Sequence, residues 1–415
     1  MIDDLISYLD GSRSPFHAAS SAASRLVGAG FTSHSLAERW DDLPPKGFVH
    51  VGASVVAFSL AGSTPAPFAI IGAHTDSPCL RIKPRPDTGL LGWKQLGVEV
   101  YGGVLLNSWL DRDLGIAGRV ALRDGSTLDL TVDAPICRIP QLAIHLDRDV
   151  NDRGLLLDKQ QHLTPVWGTG ASREGEFAEW LGTQLSIASA DIAGWELSLF
   201  DRTPAAVLGA DSSLLASGRL DNQLSCWAAV TALTAASLGN RHQVIALFDH
   251  EEVGSESTTG AAGPLLEQVL ERITLSLRGD RSDHLVALAG SSCLSADNAH
   301  AVHPNYPERH EPGHRPIVNQ GPALKVNANQ RYATTPETAA GFQRACDDVG
   351  VPCQVFVSRN SMPCGSTIGP ITATRLGIPT VDVGIPQLSM HSARELCGVD
   401  DPVSMVLAAR RWLAL

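Results

Sequence analysis

Apolar residues along this chain fall into two textures. From 1 to about 85, and again from about 205 to 415, short apolar runs alternate with segments whose apolar residues recur at helical spacing. That alternation is the pattern of an α/β unit. "PFAIIGAHTDS" (67–77), "QVIALFD" (243–249) and "IPTVDVGIP" (378–386) read as buried strands, each nearly continuous in apolar residues and ending in polar ones. "PFHAASSAASRLVGAG" (15–30) reads as a helix, with Ser14 as cap, Pro15 at its first position and glycines at its end. The segments 221–239, 263–273 and 334–350 follow the same helical grammar.

Residues 86–204 differ. "VEVYGGVLLNSWLDRDLGIAGRVALRDGSTLDLTV" alternates apolar and polar positions with glycine and "DGS" punctuation, which predicts antiparallel β structure. The expected architecture is an α/β domain over 1–85 and 205–415, interrupted by a β-rich insertion over 86–204. No internal repeat is visible.

Composition narrows the function classes. No apolar run approaches the ~20 residues that cross a bilayer, and the acidic N-terminus "MIDDLISYLDGSRSPFH" lacks a secretory signal's basic and apolar regions. The eight cysteines (79, 137, 226, 293, 346, 353, 364, 397) form no Cys-x-x-Cys pair, which suits reduced thiols in a cytoplasm. A net charge of −12 without a Lys/Arg cluster argues against nucleic acid or an anionic membrane as partner.

Five polar clusters stand where strands of the α/β part should end: "HTDS" (74–77), "RLDNQ" (219–223), "DHEE" (249–252), "SADNAH" (295–300) and "SMHSARE" (389–395). Ligands in open α/β sheets sit beyond the carboxyl ends of the strands, so these clusters are expected to converge. Together they hold His, Asp and Glu with no cysteine, a donor set suited to a pair of divalent ions such as zinc, manganese or cobalt.

Taken singly, each cluster has a bland alternative: His74 as a core histidine, Asp221 as a helix N-cap, Asp297 and His300 as turn residues, His391 as a loop histidine. Adjacent Glu251 and Glu252 after "VIALF" resist that reading, because two carboxylates at a buried strand end ask for a counter-charge. The single-zinc His-Glu-x-x-His motif, a Gly-x-Ser-x-Gly elbow and a phosphate loop are absent. The histidines of "HPNYPERHEPGH" (303–314) read as part of an exposed, proline-rich loop.

The segments "SPFH", "HTDSPCLRIKP", "GVEVYGG", "WLDRDLGIAGRV", "IPQLAIHL", "RLDNQ", "EEVGS", "SADNAHA", "LKVNANQRYAT", "PCGSTIGPI" and "MHSARE" occur in this order from end to end. In them the chain closely resembles the aspartyl aminopeptidase family, cytosolic two-metal exopeptidases that assemble as dodecamers. The resemblance implies a mixed-sheet metallopeptidase domain interrupted by a dimerisation domain. It also implies two divalent ions per chain, zinc foremost with manganese or cobalt as alternatives, peptide substrates, and self-association through the insertion.

Carried onto matching positions, it makes His74, Asp221, Glu252, Asp297 and His391 metal ligands, with Asp221 bridging both ions. Asp76 becomes the carboxylate that supports His74, and Glu251 the general base. Lys325 receives an acidic substrate side chain, and His145 is offered to a neighbouring subunit's site. The chain departs from the family pattern of Asn-Asp before "PCG": here Ser361 follows Asn360. The ligands are untouched, and the departure bears on the pocket for the substrate side chain and so on the acidic preference.

Two ions about 3.5–4 Å apart can share a water, lower its pKa towards ~7 and polarise a scissile carbonyl. Glu251 would take the water's proton and pass it to the leaving amine. Successive side chains of an extended strand face opposite ways, so neighbouring glutamates can hold different roles. The leading expectation is therefore an aminopeptidase favouring N-terminal Asp or Glu. The alternatives are a two-metal exopeptidase or deacylase for neutral or N-acylated residues, and a catalytically silent shell or cargo protein of the same fold.

Overall fold

A computed structural model describes residues 1–415. The chain divides into two compact units, one comprising 1–76, 205–390 and 395–415, the other 77–204 and 391–394. The first division falls between Asp76 and Ser77, earlier than the expected 85. The reason is pairing: the strand Cys79–Leu90 runs antiparallel to Trp93–Tyr101 and belongs to the insertion's sheet. His391–Arg394 joins that unit as well, through the N–H groups of Leu105 and Ala393, which donate to His391 O and Ser108 Oγ.

The first unit is built on a nine-stranded mixed sheet. Its order is Thr32–Ser33, Lys46–Val51, Ser54–Ser59, His242–Phe248, Phe68–His74, Ser292–Ala296, Thr380–Gly384, Ala323–Val326 and Gln354–Val357. The central strands are buried along almost their whole length and largely apolar because helices cover both faces, with Gln243, Ser295 and Asp382 among the buried polar exceptions. Side chains alternate between two cores with the period of two that a strand imposes. Ala69, Ile71, Ala73, Ile245 and Leu247 pack into one core with Trp227, Phe342 and Trp412. Phe68, Ile70, Val244, Ala246 and Phe248 pack into the other with Leu266, Val269 and Ile368.

The helix Pro15–Gly28 starts as expected, with Ser14 Oγ accepting the His17 N–H. The helix expected over 221–239 spans Leu220–Ala235, and Ala236 turns to extended backbone. A second, five-stranded sheet of the same unit has the order Ala206–Leu208, Leu214–Ser217, Glu395–Gly398, Pro386–Leu388, Ala299–His300.

The second unit is a six-stranded sheet in the order Thr127–Cys137, Leu114–Leu122, Ile192–Asp201, Cys79–Leu90, Trp93–Tyr101, Val166–Thr169. Its core gathers Leu80, Ile116, Leu197 and Phe177, the last from the helix Glu176–Leu185. Leu91 and Gly92 turn the Leu90–Trp93 hairpin, both at positive φ (53° and 82°), as a two-residue hairpin loop requires. None of the eight cysteines is joined in a disulfide. No helix is long and apolar enough to cross a membrane.

Candidate active site

Three parallel strands deliver chemistry to one end of the nine-stranded sheet. Phe248 pairs with His74, and Ser295 with Gly72. His74, the turn after Phe248 and Asp297 therefore emerge at the same level. His74 is 1% exposed and lies among carboxylates: its Nε2 is 3.5 Å from Asp221 Oδ1, 3.8 Å from Asp297 Oδ1 and 3.9 Å from Glu251 Oε2. Its Nδ1 lies 3.4 Å from Asp76 Oδ1. Burial alone would depress the imidazole pKa, but Asp221, Asp297 and Asp76, with the charge of Glu251, hold it well above the ordinary histidine range.

The glutamate pair is organised by Asp76. The strand stops at Phe248, His250 adopts left-handed backbone (φ 63°), and Glu251–Val253 forms one 3₁₀ turn. The adjacent glutamates are thus not successive positions of an extended strand, as expected, but neighbours on a tight helical turn. Asp76 is fully buried; its Oδ1 accepts the Glu251 N–H and its Oδ2 the Glu252 N–H, both at 3.1 Å. One carboxylate satisfies two N–H groups that a single short turn leaves without backbone partners. Burial pushes the Glu251 carboxyl up to about 8, against the pull of His74, with Asp297, Asp76 and Asp221 adding to the rise. Asp249 is turned back into the fold, its N–H donating to Ser54 Oγ.

Asp221 is no N-cap. It lies inside the first turn of Leu220–Ala235 with non-helical angles (φ −83°, ψ 107°), after Arg219 at φ 60°, and the Asp221–Asn222 peptide is cis. Its carboxylate lies beside the His74 imidazole. Asn222 Nδ2 donates to Ala296 O and Gln223 Nε2 to Thr75 O, tying the segment to both neighbouring strand ends.

Lys325 is 3% exposed, with Nζ 3.6 Å from Asp297 Oδ2 and 5.3 Å from the centroid of the Tyr332 ring. Asp382, read from sequence only as part of a strand, is a further buried carboxylate on this side. It accepts from Thr367 Oγ1 and from the Ala333 N–H, both at 2.6 Å. Burial raises its pKa, and the charge of Lys325 opposes the rise. A lone Asp inside "TVDVG" was the available signal for it.

The donor set fits a divalent cation. Ligand atoms of His74, Asp221 and Asp297, and those of His74, Glu251 and Glu252, lie within 4.8 Å of one another, with nitrogen and oxygen donors and no thiolate. His391, in the second unit, directs Nδ1 to the Gly103 carbonyl at 3.0 Å, the bond that orients a ligating imidazole. His145 lies on the 3₁₀ turn Ile144–Leu146 of that unit and is exposed. The loop histidines bond locally: His310 Nε2 accepts the His303 N–H, and His314 Nδ1 meets Glu311 Oε2. Ser361 is exposed.

An α/β sheet that gathers imidazole and carboxylates at the carboxyl ends of its parallel strands has the donors to hold divalent cations, which can activate water for hydrolysis. The family described as aminopeptidase I zinc metalloproteases (M18) matches residues 8–412. A probable M18 family aminopeptidase 2 of Streptomyces coelicolor is 53% identical over 407 residues, covering 96% of this chain and 94% of its own. The protein of the same description from Mycobacterium tuberculosis is 48% identical over 423 residues, covering 99% and 97%.

Among solved structures, Ape4 in its complex with Nbr1 superposes with a TM-score of 0.95 at 35% identity, over 99% of this chain and 85% of that one. The S. cerevisiae mApe1 dodecamer gives 0.86 at 26%, over 99% and 97%. The chain belongs to the M18 family of zinc metalloproteases, and it is an aminopeptidase.

Proposed function

We propose that the chain releases N-terminal residues from peptides, preferring Asp and Glu, with two divalent ions bound per chain. Zinc is the proposed metal, since the family is one of zinc enzymes and the donors are imidazole and carboxylate. His74, Asp221, Glu252, Asp297 and His391 are the residues that would hold the ions. When bound, the ions acidify water and polarise the scissile carbonyl.

Glu251 is the proposed general base: it takes a proton from the attacking water and returns it to the leaving amine. Its raised pKa in a buried setting supports a carboxylate able to hold that proton. Asp76 positions both glutamates through their N–H groups, and this double grip carries the reading, because it lets neighbouring carboxylates serve different ends.

Lys325 is proposed to receive the acidic side chain. Its ion-pair partner Asp297 would share its charge with a metal, leaving a buried ammonium that a neutral side chain would not match. The test is kcat/KM at fixed pH and metal for Asp-, Glu-, Leu- and Ala-amides beside N-acylated amino acids. Preference for neutral residues would remove the acidic specificity, and preference for blocked amines would overturn the proposed reaction.

The second unit is proposed to mediate self-association into a dimer-based dodecamer, with His145 reaching a neighbour's site. Its hairpin exposes Leu90, Leu91 (89%) and Trp93 (52%) together at one tip, a local apolar cluster of the kind a partner subunit covers. Sedimentation that finds only monomers at micromolar protein would overturn this.

A further inference from the structure

We infer that Glu395 is a positioning residue for Asp221, acting through a closed ring of buried side chains that grips both polar groups of the Leu220–Asp221 peptide. This rests on the proposed reading of Asp221 as a metal ligand. Asn298 Nδ2 donates to the Leu220 carbonyl at 2.8 Å and to Gln387 Oε1 at 3.0 Å. Gln387 Nε2 then donates to Glu395 Oε1 at 3.4 Å, and Glu395 Oε2 accepts the Asp221 N–H at 3.0 Å. Leu220 O and Asp221 N belong to a single peptide unit, so the ring starts and ends on the same planar group. Asn298, Gln387 and Glu395 are each no more than 2% exposed.

The polarity of the ring dictates its chemistry. One end is a carbonyl, which only accepts, and the other is an N–H, which only donates. Asn298 uses both hydrogens of its amide, and Gln387 passes the direction on. The last member must therefore accept on both oxygens, which only a carboxylate does. Helical backbone cannot supply an acceptor here, because Asp221 is non-helical and its N–H lies outside the regular helical pattern.

The ring members come from the five-stranded sheet and its edge. Gln387 lies on Pro386–Leu388, Glu395 on Glu395–Gly398, and Asn298 between Asp297 and the strand Ala299–His300. Leu214–Ser217 of the same sheet leads into the gripped peptide. This sheet therefore presents the irregular entry of the helix to the site, and Asn298 couples it to the adjacent Asp297.

The test compares wild type, Glu395→Gln, Gln387→Glu and the double variant. Glu395→Gln sets an amide hydrogen against either the Asp221 N–H or the Gln387 amide, while Gln387→Glu sets two carboxylates together. The double variant alternates donors and acceptors again: Asn298 and Gln at 395 both donate to Glu at 387, and the Gln oxygen accepts the Asp221 N–H.

Zinc affinity by chelator competition, and the visible absorption of the cobalt-loaded protein, report ligand placement without turnover. Glu395→Gln is expected to weaken metal binding by about 10- to 100-fold and shift the cobalt spectrum, with the double variant restoring both. Wild-type affinity in Glu395→Gln would overturn the inference, as would a double variant that folds but binds no better than the single. Should Glu395→Gln prove insoluble, the double variant decides alone: it must fold and bind metal. A wild type that takes up no metal would instead overturn the reading of Asp221.

Discussion

Asp76 is where a small perturbation has the most calculable consequence. Replacing it with Asn keeps one acceptor for the Glu251–Glu252 turn but sets an amide N–H against the other backbone N–H. A hydrogen bond to a charged group contributes about 1.5–3 kcal/mol, and leaving a buried donor unmet costs a similar amount. Asp76 is fully buried, so solvent offers no substitute. A loss of about 1.5–3 kcal/mol from the properly held turn corresponds to a roughly 10- to 150-fold fall in kcat/KM. Asp76→Ala removes both acceptors and is expected to fall further.

The assay is steady-state hydrolysis of an N-terminal Asp-amide at saturating zinc, with bound metal measured on the same samples. Saturating metal separates loss of the turn's placement from simple loss of the ion, since Asp76 also faces His74. Asp76→Asn within about twofold of wild type, with full metal content, would refute the claim that this carboxylate positions the glutamates, because a lost charged hydrogen bond predicts at least tenfold.

Glu251→Gln is expected to lower kcat by about 10²- to 10⁴-fold while the protein still binds metal, the signature of a lost proton acceptor; unchanged kcat would remove Glu251 from that role. The Glu251 carboxyl, raised from 4.5 to about 8 by burial, binds its proton more tightly in the folded than in the unfolded chain. Its contribution to stability is therefore present at low pH and lost as pH rises towards about 8. The melting temperature of the metal-free protein should fall across that window and Glu251→Gln should flatten the fall; equal slopes would contradict the assignment. Lys325→Met is expected to reduce the Asp-over-Leu ratio of kcat/KM by roughly tenfold or more, mainly through KM; an unchanged ratio would place acid recognition elsewhere.

How much of this was legible in advance follows from the range over which each feature is encoded. Buried strands such as Phe68–His74 and His242–Phe248 announce themselves, since both faces are covered and the chain writes apolar residues continuously. Helix starts such as Ser14-Pro15 are local chemistry and appear in place. His74, Asp76, Glu251, Glu252 and Asp297 stood out because parallel strands deliver their ends to one edge, whereas Asp221 reaches them from beyond Leu214–Ser217, a strand of the five-stranded sheet with antiparallel partners. The boundary at Asp76–Ser77 was not legible, because "CLRIKP" is apolar enough for either unit and only its pairing partner decides.

The elements, the polar residue types at the strand ends and, through shared segments, the family are carried by local pattern or ordered motif, and so can be read along the chain. How the groups are held depends on contacts between distant segments. The glutamates sit on a turn gripped by Asp76, 175 residues away in sequence. Asp221 is held out of its helix by a ring whose members lie between 78 and 174 residues from their backbone partners. Such bonds leave no periodic trace in the chain, because a buried acceptor is chosen by what faces it in space.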